Sequence, residues 1–440
     1  MSTTVQKSRI PKKFHQAVVK WQEMFIPDMP FLNENWKSYF PHQPEFELCA
    51  FHDCSVCPNI EVGTDKGKPK FTNACDMNKE HADHLLKAVK AQASTELGSI
   101  QQHRKTLARA KNETDQFWIL RMMAEELRHG YQMFSVLLSD DWRSVTDTSG
   151  EDMVEEVLSM RTGNHVLGAF NIDFDSFLDN ITFCALIDRV GKYQLDMQKV
   201  SAYRPMSESM GPMLREEAFH LATGVTPLRR WVEEAAVGKG MISIPMIQEV
   251  LNKWLPRGLD MFGDERGGGR NVDMGFKHTK NGEAMLQYHA EVQGIVDDFN
   301  TRIVRARHTE LSRPEAQEIA EKVIAGDRYE GITRDELLTI PGVKFFRRRG
   351  PNAFMAFDTE GNERTWGRDY QDYMMRTLPD SYVVGRDFLQ FAEAMDQIAA
   401  GELTQVDAVR TMPALSRVAG TCPCSNAVRW VNGNGSEGVE

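Results

Sequence analysis

The sequence predicts a mainly α protein: a four-helix bundle with extra helices and a smaller α+β region toward the C-terminus. Three observations predict it. Four stretches within residues 81–310 read as helices, with apolar residues at helical spacing from Asp115 to Leu138. Two of those stretches carry the same pattern, Glu-Glu-x-x-His, at Glu125 to His129 and at Glu216 to His220. Each is preceded, about a helix pair upstream, by a stretch with a carboxylate in its apolar run, Glu96 and Asp188.

In chain order, residues 1–45 are a basic, then aromatic and Pro-rich lead (IPDMPFLNENWKSYFPHQP) expected to wrap the bundle. Residues 46–80 hold four of the seven cysteines. Residues 81–310 are assigned to the bundle and its extra helices. Its first helix is expected over Ala88 to Ala110, rich in Ala, Lys, Gln and Leu, with Gly98 the one tolerated breaker. Asp115 to Leu138 has apolar residues at helical spacing around the first Glu-x-x-His. Leu178 to Val190 is an apolar run that Asp188 closes, Met210 to Leu221 holds the second Glu-x-x-His, and YHAEVQGIVDDFNTRIV adds a further long helix. Residues 311–440 read as α+β. A hairpin is expected at FMAFDTEGNERTW, turning at EGN, then a helix near Gly385 to Ala400 and a polar tail.

Residues i and i+3 share a helix face, so one Glu-x-x-His aims two side chains at one point. Glu96 precedes Glu126 by 30 residues and Asp188 precedes Glu217 by 29, so each half reads as a carboxylate helix followed by a Glu-x-x-His helix. Charge inside an apolar stripe is costly unless partnered. In bundles that bind two iron or manganese ions, two helices give one carboxylate each and two give Glu-x-x-His. The candidate ligands are therefore Glu96, Glu126, His129, Asp188, Glu217 and His220. Register alone also permits Glu125 and Glu216. The i−3 members are preferred because both halves then share one geometry, leaving the i−4 members for water or a supporting partner. A polar seam without metal is the alternative. Two ferrous ions in such a site can supply electrons to dioxygen, and the second nitrogen of each imidazole needs an acceptor that sequence does not identify. Phe117, Met122, Met123 and Phe183 would keep the site dry, although plain core packing explains most of them equally well.

The stretches AQASTELGSIQQHR, EELRHGYQM, GAFN (Gly168 to Asn171), DRVGKYQL (Asp188 to Leu195) and LREEAFH (Leu214 to His220) resemble the oxygenase components of the benzoyl-CoA 2,3-epoxidases. More distantly they resemble phenylacetyl-CoA epoxidase catalytic subunits. The similarity continues in ISIPMIQEVLNKW and LDMFGDE and covers roughly Lys87 to Leu389. The resemblance implies a ferritin-like di-iron monooxygenase whose ligands fall on the same six residues, with Asp at the third ligand helix. It implies that O2 is used to epoxidise an aromatic ring carried as a coenzyme A thioester, with electrons from a separate NADPH-dependent reductase. Lys344 to Arg349 (KFFRRR) and Arg229 with Arg230 are candidates for the coenzyme A phosphates. Two other readings stand beside this one: a di-iron oxygenase of another substrate, such as an N-oxygenase or hydroxylase, and a ferritin-like metal-binding protein without turnover.

The net charge of −11 argues against a nucleic-acid partner. No apolar run is long enough to span a bilayer and no secretory signal is seen, so a cytoplasmic location is expected. Cys49, Cys54, Cys57 and Cys75 have the form C-x4-C-x2-C plus a distant fourth, which suits a [2Fe-2S] cluster or zinc, with His52 as a substitute ligand or Cys422 and Cys424 completing a site. Four ordinary reduced cysteines are the alternative. This segment is where the chain departs most from the family it resembles, which leaves the redox partner open.

Overall fold

The computed structural model describes residues 5–162, 165, 167–171, 174–263, 269–340, 355–357, 363–365, 367–369, 371–372 and 386–404. The fold is mainly α, a ferritin-like helical bundle with extra helices. The chain divides into two compact units, one of Met1–Asn180, Asp188–Thr223 and Glu265–Glu283, the other of Ile181–Ile187, Gly224–Asp264 and Ala284–Glu440.

The first unit opens with strand β1 (Val5–Ser8) and helices α1 (Lys12–Phe25) and α2 (Met29–Tyr39). Strand β2 (Ala50–Asp53) returns antiparallel to β1, pairing Val5 with Asp53 and Ser8 with Ala50. Helix α3 (Lys79–Thr106) starts earlier than the Ala-rich stretch suggests, because Asn78 caps it by accepting from the His81 amide. Helix α4 (Glu113–Leu138) is capped in the same way by Asn112, and Glu113 and Asp115 in its first turn complement the helix dipole. Helix α5 (Gly150–Ser159) begins with a Ser149–Asp152 capping box.

Helix α6 (Phe177–Gln198) and helix α7 (Arg204–Ala236) both run well beyond the segments expected from pattern. Pro205 falls in the first turn of α7, where a missing amide costs nothing, but Pro212 and Pro227 lie in its interior. Packing holds α7 helical where local propensity argues for a break. Further along come α8 (Ile244–Met261), α9 (Arg270–Asp273), α10 (Asn281–Arg307) and α11 (Arg313–Ile324). In the second unit Phe183 packs edge-on against Trp254, with ring centroids 5.1 Å apart. Strands β3 (Met355–Phe357) and β4 (Glu363–Thr365) pair antiparallel, and a helix follows at Arg386–Ala399. The EGN turn, the KFFRRR run and Cys422 and Cys424 lie outside the described residues. No helix among the described residues is long and apolar enough to cross a membrane.

The four cysteines of residues 46–80 do not come together. Cys49 is buried, Cys54 half-buried, and Cys57 and Cys75 exposed, all as free thiols. Among the described residues no three of them lie close enough to share a metal ion. Cys49 leads into β2, Cys57 sits in the loop beyond it, and Cys75 lies in a 3-10 turn after Asn73. The His52 imidazole is engaged with the Ser8 hydroxyl at 2.7 Å. A lysine anchors this region instead. The Lys70 side chain is wholly buried and donates to the carbonyls of Val200 and Ser201 and to the Ser207 hydroxyl, while pairing with Glu61 at 3.2 Å. Those contacts satisfy an ammonium that burial would otherwise make costly.

Candidate metal centre

Glu126 and His129 on α4 and Glu217 and His220 on α7 are all buried, and they bring one ligand atom each within 4.8 Å of one another. The two carboxylates lie between the two imidazoles. Glu126 places Oε2 at 3.8 Å from His129 Nδ1 and Oε1 at 3.2 Å from His220 Nδ1. Glu217 mirrors it, with Oε1 at 3.8 Å from His129 Nδ1 and Oε2 at 3.6 Å from His220 Nδ1. Two donors each about 2.1 Å from a shared ion lie roughly 3 to 4 Å apart, so these separations suit metal ligation. The decisive observation is what the inward atoms lack. Glu126 Oε2, Glu217 Oε2 and both Nδ1 atoms are buried without any hydrogen-bond partner. Four orphaned polar atoms converging on one point are expensive unless a cation sits there.

The remaining two sequence-predicted residues are buried beside this cluster on the flanking helices. Glu96 on α3 places Oε2 at 3.9 Å from His129 Nδ1, and its other oxygen accepts from Gln92 Nε2 at 2.5 Å. Gly130 lets α4 approach α3 here, since a Cβ at that position would fall 2.4 Å from Leu97 Cδ1, next to Glu96. Asp188 is buried on α6, one turn ahead of Gly191 and so on the same face. A Cβ on Gly191 would sit 3.3 Å from Glu217 Oε1, so that face of α6 lies against the cluster.

The outer nitrogens answer the question that sequence left open. His129 Nε2 meets Glu216 Oε2 at 3.1 Å, and His220 Nε2 meets Glu125 Oε2 at 3.2 Å. The doubled glutamate of each motif thus splits its work: the i−3 member faces inward, and the i−4 member orients the imidazole of the opposite motif. Such carboxylate–imidazole pairs fix ring orientation and raise basicity in metal sites. Two arginines complete the arrangement. Arg121 Nε donates to Glu125 Oε1 at 3.0 Å, and Arg128 donates to both oxygens of Glu216. Sequence reading passed over both arginines. Arg128 stands inside its motif, but Arg121 has no local signal.

Charge follows this geometry. Burial and the adjacent Glu96 carboxylate lift the Glu126 carboxyl well above the ordinary range, against the pull of His220. Burial works to lower both imidazoles, but carboxylate partners outweigh it and raise them. Those partners are led by Glu216 for His129 and by Glu125 and Glu126 for His220. Burial pushes Glu216 up, yet its hydrogen bond to His129 and the Arg128 charge bring it down to about 2. Without a metal, protons on these groups supply the positive charge that the cluster calls for.

No family model matches the chain. It is 24% identical, over a 358-residue alignment covering 74% of each chain, to benzoyl-CoA oxygenase component B of Aromatoleum evansii. The chain is a distant relative of that protein. Of the cations considered for a coenzyme A thioester, Arg229 is already held by Asp298 at 2.9 Å, a carboxylate that also pairs with Arg302 and Arg313.

Proposed function

We propose that this chain is the oxygenase component of a di-iron monooxygenase that epoxidises an aromatic ring carried as a coenzyme A thioester, with electrons from a separate reductase. The observation that carries the reading is the convergence of four partnerless buried ligand atoms from two symmetry-like Glu-Glu-x-x-His motifs. The relative's name, an oxygenase component for benzoyl-CoA, supplies the substrate class and implies a partner.

In this reading Glu126, Glu217, His129 and His220 would hold the metal, Glu126 and Glu217 each offering one oxygen toward each imidazole. Glu96 and Asp188 would add the remaining carboxylate donors. When bound, a ferrous pair would supply the electrons with which dioxygen is reduced. Glu125 and Glu216 hold the outer imidazole protons, so both rings keep Nδ1 turned inward as the charge at the centre changes. Buried Phe117, Met122 and Met123 on α4 belong to the apolar packing that excludes bulk water. The test is dioxygen uptake by anaerobically reduced protein. Benzoyl-CoA or another aryl-CoA should accelerate it, and a panel of such thioesters without effect would sink the aryl-CoA assignment.

A further inference from the structure

Both arginines behind the candidate centre are gripped by one stretch of the N-terminal segment. Arg121 and Arg128 are only 7% and 8% exposed, so each buried charge needs partners. The Arg121 guanidinium lies over Phe219 at 3.9 Å, Phe40 at 4.8 Å and Trp36 at 5.4 Å. Arg128 lies over Phe46 at 5.1 Å and Phe51 at 5.3 Å, and its Nη1 donates to the Glu47 carbonyl at 3.4 Å. Aromatic faces hold a desolvated cation by their negative quadrupole. Two chains of contact therefore run inward from residues 36–51. One passes from Trp36 and Phe40 through Arg121 and Glu125 to His220. The other passes from Phe46 and Phe51 through Arg128 and Glu216 to His129.

We infer that residues Trp36 to Phe51 are positioning elements of the metal centre, each half of the segment fixing one imidazole through one caged arginine. The inference rests on the metal reading above and adds a part of the chain with no Glu-x-x-His pattern. The two chains differ in origin. The residue just before His129 is Arg128, whereas the residue just before His220 is Phe219. An arginine from the other motif helix, Arg121, supplies the missing charge, with Phe219 as one wall of its cage. Arg128 Nη2 also lies 3.8 Å from Glu125 Oε1, so the Arg121 cage is the more selective handle.

The test compares two double variants, Trp36→Leu with Phe40→Leu and Phe46→Leu with Phe51→Leu, which leave every charge in place. In metal-free protein, proton NMR reads the downfield Nε2 protons of the two hydrogen-bonded imidazoles, assigned with His129→Gln. Stepwise Co2+ titration of the full chain reads the two binding steps. The first variant should broaden or remove the His220 proton and weaken one Co2+ step about 10- to 100-fold, the usual effect of losing an orienting partner. The second should act on the His129 proton and the other step. Arg121→Gln should reproduce the first variant and Arg121→Lys should restore part of the loss. Variants that leave both protons and both steps as in wild type, or weaken both steps equally, would overturn the inference. Wild-type protein that takes up no Co2+ but keeps the variant-specific NMR pattern would overturn the metal reading alone.

Discussion

The two Glu-Glu-x-x-His halves are nearly interchangeable at the centre and quite different behind it. Both present Glu and Nδ1 inward, and both lend their outer glutamate to the opposite imidazole. Behind that layer, the first half uses its own Arg128, whereas the second borrows Arg121 across the bundle. The helix contacts differ as well. Gly130 on α4 faces the tip of a leucine on α3, while Gly224 on α7 lies against the α6 backbone, where a Cβ would fall 2.2 Å from the Ala185 nitrogen. The comparison teaches that the two halves share one inward geometry, while the support behind it is built from whatever residues packing brings close.

Removing an inward atom should erase the likeness of the halves and have the largest effect. If both halves form one centre, iron of about two per chain should fall sharply in either His129→Ala or Glu217→Ala. Cys54→Ala should leave it unchanged. Iron that survives the first two variants and vanishes in the third would place the metal in the cysteine segment instead.

A second contrast lies among the buried histidines. Carboxylates raise His129 and His220, whereas His103 on α3 is lowered by burial and by the nearby His220 to about 3, and His165 by burial to about 4. Both latter rings are neutral in the folded chain. For these two groups the unfolded chain, with histidines near 6.5, binds more protons below that pH, so their contribution to stability falls as pH drops from about 6.5 toward 4. Each such group contributes a slope of about 1.4 kcal/mol per pH unit within its window. Denaturant melts of metal-free protein across this range check it: His103→Gln should flatten the slope by about one proton, and an unchanged slope would refute the assignment.

The glycine contrast gives the smallest effect. Gly224→Ala should destabilise by about 1–3 kcal/mol because backbone must shift, and Gly130→Ala by less because the Leu97 side chain can turn away. Thermal melts in which the two variants lose equal stability would remove that asymmetry.

Much of the centre was legible in the residues because its information is local. Glu126 with His129, and Glu217 with His220, share a face by helix geometry alone, and the offsets to Glu96 and Asp188 follow from helix-pair length. Spacing does not decide between Glu125 and Glu126, since adjacent positions differ by about 100° of rotation and only packing sets which one faces inward. The cysteine segment is the opposite case: its ferredoxin-like spacing describes separation along the chain, while a strand, a loop and a 3-10 turn decide separation in space.

The sequence by itself determined the helical class and the paired motifs that carry the carboxylates and imidazoles, because periodicity and i, i+3 spacing are properties of single helices. Only the tertiary structure decided that each outer glutamate serves the other motif's imidazole, that Arg121 stands in for an arginine missing beside His220, and that residues 36–51 cage both arginines. Those contacts join residues up to 95 positions apart. They exist because a buried charge must find its partner wherever the packed chain brings one within reach.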